Sequence, residues 1–455
     1  MPSAGLRQPN TRLAALLDHT GMSSSSLAAR VNHRARRGGI SVSYTHRSIA
    51  NWRAGITPQP PIRRVIAEVL GDALGRFVPL SEIGFHAEDD DDQAGLHFPR
   101  DPAKAIAVAT DFWSVMDRRA LLTAGVAATA FTTPLCRWLT TDTDTALPGP
   151  VTPGRRVGRH DVEDLIATAQ DARRADSRFG GGNWRVRMVD TCLTDRATPL
   201  LHGTYTDTTG RTLFAAVAEL SQVAGWSAVD RGAHGLAQRH FIQGLRLARA
   251  AGDVPLGCYL LACMALQATL CDHHDIAIDM LDAATERGRG RATPRVLGFC
   301  QLVAARVFAR SGDAPRALRA LSAAETLLDR AESTDTGDDP RWIGFFGRTR
   351  LAADAVEIHR DLELPSRART WNAHAGTNAA FTRSHSLRQV VLASTYLQGE
   401  ADLDAALAHG HSALRGLAGI ASARADGYFR DLADRFTPWA TEPAVADFLH
   451  HARAA

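Results

Sequence analysis

Apolar residues recur three and four positions apart through the first 85 residues of the chain, a spacing that predicts short amphipathic helices. The apolar positions of five such helices are Leu13, Leu16 and Leu17; Leu27, Ala28 and Val31; Ile49 and Trp52; Ile62, Val65, Ile66, Val69 and Leu70; and Leu80, Ile83 and Phe85. Asn10 or Thr11 is available as N-cap for the first helix and Thr45 for the third, and Pro60 suits the first turn of the fourth. Gly55 and Gly71 are expected to end the third and fourth helices.

The third of these helices differs from the others in the chemistry of its outer face. With Ile49 and Trp52 directed inward, the outward positions are His46, Arg47, Ala50, Asn51 and Arg53. Cationic and amide side chains on a short helix are the groups that read base edges in the major groove of DNA. The pattern therefore indicates a DNA-reading helix.

Residues 27–31 (LAARV) followed by residues 48–55 (SIANWRAG) resemble the Xre-like, phage-repressor type of helix-turn-helix family. The resemblance implies base contacts from His46, Arg47 and Asn51, and a phosphate contact from Ser24 at the start of the second helix. Further phosphate contacts are expected from Thr45, Ser48, Arg53, Arg34, Arg36 and Arg37. The connection from residue 33 to residue 44 is longer than the tight turn of that family.

Charge is concentrated in the same part of the chain. Residues 1–85 contain eleven arginines, no lysine and four acidic residues, a net charge of +7, whereas the whole chain carries +3. The remaining residues therefore carry about −4 by the same count. Arginines clustered in this way supply salt-dependent affinity for phosphate. An arginine-rich domain can also be merely solvated or dock on an acidic protein, and these alternatives stay open.

The C-terminal part of the sequence repeats with a period of forty residues. A small–x3–large–x2–small triplet recurs at Ala237, Phe241 and Gly244; Ala277, Leu281 and Ala284; and Ala317, Leu321 and Ala324, with a looser copy at Ala406, Gly410 and Ala413. This is the tetratricopeptide pattern, in which small residues let the helices of a pair approach closely. Each triplet is expected in the second helix of its pair, and residues 331–399 break the register. The predicted α-solenoid is expected to hold a peptide, a small molecule or a protein ligand, or to serve as a dimerisation scaffold.

A second resemblance covers most of the chain. Residues 176–182 (DSRFGGG), 218–226 (AELSQVAGW) and 235–241 (GLAQRHF) are similar to actinomycete regulators of the NsdA type. Those proteins join an Xre-like head to a tetratricopeptide-like body. The resemblance implies a regulator of differentiation or secondary metabolism.

The predicted fold is all-α, with a helix-turn-helix domain at residues 1–86 and a tetratricopeptide-like α-solenoid at residues 161–455. Residues 87–160 are expected to form an acidic linker, an apolar helical segment and a Pro/Gly/Thr-rich linker. Residues 118–131 look like a twin-arginine export signal, but they follow a folded domain, so a buried helix or docking segment is expected. No apolar run reaches the roughly 18 residues of a membrane span, so no membrane partner is expected. Six scattered cysteines fit free thiols in the cytoplasm.

No arrangement of residues indicates catalysis, so no enzyme activity and no cofactor are expected. Residues 271–275 (CDHHD) contain metal-ligand types, but adjacent ligands in a turn rarely close one site, so no metal is expected. Two functions remain. In the first, the chain is a sequence-specific transcription regulator that binds double-stranded DNA as a homodimer. In the second, it is an interaction adaptor whose head docks on another regulator.

Overall fold

The computed structural model describes residues 9–37, 40–75, 78, 80–85, 93–117, 119–140, 147, 155–179, 184–334, 337–376, 382–418, 420 and 422–454. Regular structure in these residues is helical, and one isolated bridge joins Arg156 to Thr204 without forming a named strand. The all-α class expected from the sequence is confirmed for this part of the chain.

Five helices at the N-terminus pack around one hydrophobic cluster, and we call them the head. They are α1 (Thr11–Thr20), α2 (Ser24–Arg37), α3 (His46–Arg53), α4 (Pro60–Leu74) and α5 (Leu80–Ile83). The apolar positions expected from the sequence are buried in this cluster. The amphipathic spacing therefore identified the inward faces correctly.

Two helix ends in the head lie beyond their expected positions. Helix α2 continues to Arg37, so residues 33–37 are helical and the long connection to α3 begins only after them. Helix α4 runs through Gly71 to Leu74, and Gly75 ends it with a left-handed backbone (φ 65°). The expectation that Gly71 stops α4 is wrong, because a glycine ends a helix only where the backbone adopts positive φ.

The segment between the head and the repeats is packed on the repeats in its described part. It contains α6 (Pro102–Trp113), α7 (Arg119–Thr123), a 3-10 turn (Ala128–Phe131) and α8 (Thr132–Thr140). Its buried side chains belong to the same hydrophobic cluster as those of the repeats. The apolar segment expected between the two linkers is therefore packed on the repeats, together with residues 93–117, while the acidic run at 88–92 lies outside the described residues.

Residues 118–131 form a docking segment rather than a single helix. Gln238 of the repeats donates to the carbonyl of Ala127 (2.8 Å) and accepts from its N–H (2.9 Å). A Cβ on Gly235 would lie 2.2 Å from the carbonyl oxygen of Ala124, so only glycine permits this approach. The docking expected from the sequence is confirmed for the described residues, Arg118 lying outside them.

The repeats begin after α9 (Arg159–Phe179), α10 (Trp184–Cys192) and α11 (Thr198–Leu201). Three successive pairs follow: α12 (Asp207–Asp230) with α13 (His234–Ala251), α14 (Val254–Leu270) with α15 (His274–Gly288), and α16 (Pro294–Arg310) with α17 (Ala314–Ser333). The second helices start forty residues apart. The period read from the sequence is confirmed in these pairs.

The small residues of the triplets lie where two helices meet, and all nine residues of the three triplets are buried. A Cβ on Gly244 would lie 3.0 Å from Leu260 and 3.3 Å from the carbonyl oxygen of Ala218. Each pair turns at a residue with positive φ, namely Gly232 (77°), Asp272 (60°) and Gly312 (79°). The turn and the triplet therefore recur together.

The region that broke the register contains two further pairs. They are α18 (Arg348–Asp361) with α19 (Pro365–His374), and α20 (Thr382–Tyr396) with α21 (Leu403–Leu417), followed by α22 (Ala423–Phe436) and α23 (Pro443–Ala454). The looser triplet Ala406, Gly410 and Ala413 lies buried in α21. The second helix α19 starts 51 residues after α17 starts, because α17 has 20 residues and a connection at 334–347 precedes α18, and this breaks the forty-residue register.

Buried ion pairs join the first pair to the last helices of the array. The carboxylate of Asp230, 1% exposed, accepts from Arg383 (2.6 Å), Ser422 (3.0 Å) and Arg424 (3.3 Å). Because isolated buried charges are strongly unfavourable, this satisfied cluster makes the contact between the two ends specific.

Candidate nucleic-acid interface

Helix α3 is held in the head by its two apolar residues. Ile49 is fully buried and Trp52 is 4% exposed. The indole of Trp52 makes edge contacts with the rings of Tyr44 (5.0 Å between centroids) and Phe85 (6.2 Å). These contacts fix the rotation of α3 about its axis, and thus which side chains face outward.

A buried asparagine fixes the approach to α3. Asn32 on α2 accepts from the N–H of Tyr44 (2.7 Å) and donates to its carbonyl (2.8 Å). Both backbone groups of the residue just before the N-cap of α3 are thereby satisfied. The sequence analysis missed Asn32, although a polar residue beside Val31 on the buried face of a predicted helix could have identified it.

The N-terminus of α3 is capped within the helix, and its C-terminus is bonded to another part of the head. At the N-terminus, the N–H of Thr45 donates to the hydroxyl of Ser48 (3.2 Å). At the C-terminus, the carbonyl of Arg53 accepts from the N–H of Asn10 (2.8 Å). The Asn10 side chain accepts from the N–H of Leu13 (3.0 Å) and donates to the carbonyl of Ile83 (2.8 Å). Asn10 therefore caps α1, as expected, and also links α1 to α3 and α5.

The outer face of α3 has the composition expected from the sequence. His46, Arg47, Ala50, Asn51 and Arg53 are all exposed. On this helix of eight residues, Arg47, Ala50 and Asn51 lie on the side away from the buried Ile49 and Trp52, while His46 and Arg53 flank the buried pair. The three residues expected to read bases therefore share one solvent-accessible surface, which we call the α3 face.

The other residues expected to contact phosphate differ in their surroundings. Arg36 and Arg37 are exposed in the last turn of α2, and Thr45 is exposed next to α3. Ser48 is half-buried, and its hydroxyl is the acceptor in the bond from Thr45. Ser24 is half-buried at the first position of α2, where the neighbouring Ser23 caps the helix by accepting from the N–H of Ser26 (3.1 Å).

Two arginines of the head are engaged internally. Arg34 forms ion pairs with Glu68 (2.9 Å) and with Asp72, so its charge is balanced within the head. Arg63 is buried and donates to the carbonyl of Pro58 (2.7 Å), and burial lowers the pKa of its guanidinium. The net positive charge counted from the sequence therefore overstates what the surface presents. Among the described residues of the head, the exposed arginines are Arg12, Arg30, Arg36, Arg37, Arg47 and Arg53.

The described part of the chain contains neither a candidate metal site nor a candidate membrane span. Those residues contain no group of three or more His, Cys, Asp or Glu side chains that could hold a metal ion. None of their helices combines the length and the hydropathy of a membrane span. The six cysteines are free thiols, four of them buried.

Comparison with known proteins gives a match at the N-terminus of the chain. Residues 13–86 match a family model described as the SP15 N-terminal domain. A search of curated proteins found no match to the chain. The description of the family names no activity, ligand or partner. The similarity to this family extends over the five helices of the head.

Proposed function

We propose that the chain is a DNA-binding transcription regulator whose head binds double-stranded DNA through the α3 face. The observation that carries the proposal is that face itself. Two cations, an imidazole and an amide stand exposed on a short helix whose other side is locked in a hydrophobic cluster. A rigid helix with such an outer surface can enter the major groove, where bases offer distinct donors and acceptors.

In this proposal α2 and α3 act as the two helices of a helix-turn-helix motif, in the manner of the Xre-like family. His46, Arg47 and Asn51 read bases, while Arg53, Arg36 and Arg37 contact phosphate together with Ser24, Thr45 and Ser48. Arg34 contributes little, because Glu68 and Asp72 already neutralise it. The bonds of Asn32 to Tyr44 support the motif, since they hold the connection between the two helices.

The repeats supply dimerisation and the sensing of a ligand, peptide or partner protein. As a regulator of the NsdA type, the protein would act in the cytoplasm, without catalysis, on genes of differentiation or secondary metabolism. A homodimer is expected to recognise two related half-sites about one helical turn apart. Light scattering of the protein–DNA complex gives the number of chains bound to one DNA site. Two chains are expected, and one chain would contradict the dimer.

The base-reading role is tested by fluorescence anisotropy with a DNA selected by the wild-type protein. Arg47→Ala is expected to cost about 1–3 kcal/mol of binding free energy and to relax the preference at one base pair, if Arg47 pairs with guanine. Arg319→Ala is the matched control, because Arg319 is an equally exposed arginine on α17. An Arg47→Ala protein that kept both affinity and preference would contradict the assignment.

The phosphate role is tested by the salt dependence of binding. Replacing Arg36 or Arg37 with alanine is expected to weaken binding to all DNA sequences about equally, and to flatten the slope of log K against log salt by about 0.9 for each lost contact. The adaptor alternative makes the opposite prediction. If the head is an adaptor, it binds no DNA even at low salt. The same substitutions then change only its binding to the other regulator.

A further inference from the structure

An irregular stretch of chain crosses helix α13 just before α6. Residues 94–100, which we call the strap, contain no helix and lie along one face of α13 formed by Arg239, Gln243 and Arg246. These three side chains are buried and are spaced four and three residues apart. Each donates to main-chain carbonyls of the strap: Arg239 to Ala94 (2.9 Å), Gln243 to Gly95 (2.6 Å) and His97 (2.9 Å), and Arg246 to Pro99 (2.5 Å) and Arg100 (2.9 Å).

Recognition of the strap uses its backbone and few of its side chains. Leu96 and Phe98 are buried, and the guanidinium of Arg246 lies 5.9 Å from the centroid of the Phe98 ring. Gly95 has φ +74°, and a Cβ there would lie 2.8 Å from the ring of Phe112. Carbonyl acceptors are common to all peptides. The face of α13 therefore selects a non-helical peptide with glycine at a turn, followed three positions later by an aromatic residue, and tolerates other sequence.

The hydrogen-bonding capacity of this face is not fully used. The Oε1 atom of Gln243 is buried and has no hydrogen-bond donor among the described residues. Pro99 has no N–H to offer. Because an unsatisfied buried acceptor is unfavourable, a peptide that brings a donor to this position gains a bond that the strap does not make.

We propose that this face of α13 is a peptide-binding site that the strap occupies in cis, and that a non-helical segment of a partner protein displaces the strap. The partner segment carries the pattern glycine–apolar–x–aromatic of residues 95–98 and a donor for Gln243. Since the strap lies between the head and the repeats in the chain, its displacement lengthens the chain that joins them. The proposal does not depend on DNA binding by the head.

The test uses a fluorescent peptide with the sequence of residues 94–101 (AGLHFPRD) and the full-length protein. Gly95→Val forces the strap off α13, so this variant is expected to bind the peptide at least tenfold more tightly than the wild type. Gly290→Val is the matched control, because Gly290 also has positive φ (70°) but nothing within 4 Å of its Cβ position. It is expected to behave as the wild type. A peptide with aspartate in place of Phe98 is expected to lose the binding.

Equal affinity of the peptide for Gly95→Val and for the wild type would overturn the proposal. So would a Gly95→Val protein that became dimeric, since a second copy would then supply the occupant. If that variant does not fold, hydrogen exchange of the wild-type protein shows whether the strap leaves α13 on its own. Residues 94–100 are expected to open more easily than α13, and a strap that opens only together with α13 is a fixed part of the core.

Discussion

Asn32 provides the sharpest test of how α3 is held. Its side chain is 9% exposed and makes two hydrogen bonds, at 2.7 Å and 2.8 Å, to the backbone of Tyr44. In Asn32→Ala both bonds are lost, and an N–H and a carbonyl in a partly buried segment lose their partner. At about 0.5–1.5 kcal/mol for each bond, plus part of the desolvation cost, we expect a loss of about 2–4 kcal/mol of local stability.

The assay is native-state hydrogen exchange of the backbone amides of residues 46–56. A loss of that size raises the exchange of these amides by about 30- to 700-fold, at 1.4 kcal/mol for each factor of ten. The amides of α14, whose helix is almost wholly buried, serve as the internal reference. Asn51→Ala is the matched control, because Asn51 is exposed on the same head and its replacement is expected to change stability by less than about 0.5 kcal/mol. Equal protection of α3 in both variants would refute the role of Asn32.

Three further changes have defined outcomes. Trp52→Ala empties a buried aromatic site and is expected to destabilise the head by about 3–5 kcal/mol in chemical denaturation. A Cβ on Gly257 would lie 1.9 Å from the indole of Trp138, so Gly257→Ala is expected to destabilise the repeats by about 1–3 kcal/mol, whereas Gly427→Ala, on an open helix surface, is not. Burial lowers the pKa of His240 from 6.5 to about 3, so the unfolded chain takes up a proton first and stability falls as pH decreases from 6.5 towards 3. His240→Gln is expected to reduce that slope, and an unchanged slope contradicts the assignment.

Periodic features of the molecule could be predicted from the sequence. The inward faces of the head helices follow from apolar spacing, because each helix buries one stripe of residues against its neighbours. The forty-residue period follows from the triplets, because close packing restricts the same positions to small residues in each pair. The α3 face could also be predicted from local spacing, since the positions of Ile49 and Trp52 determine which side of the helix faces out.

Features that depend on contacts distant in sequence could not be predicted. The neutralisation of Arg34 requires Glu68 and Asp72, which lie on another helix. The double role of Asn10 requires α5, more than seventy residues away.

Docking of residues 118–131 on the repeats was expected, but the packing of residues 93–117 was not predicted, for the same reason. The partners of the whole segment are distant in sequence. Single side chains such as Gln238 and Gln243 bind its main chain and leave no periodic signal in the segment itself.

The central claim, that the α3 face reads DNA sequence, is tested most directly by recovering bound fragments from a genomic library at near-physiological salt. The account predicts that the wild-type protein enriches a common motif, and that Asn51→Ala, which leaves the head folded, loses discrimination at one position of that motif while retaining the rest. Recovery of fragments without a common motif, or the same motif from both proteins, would contradict it.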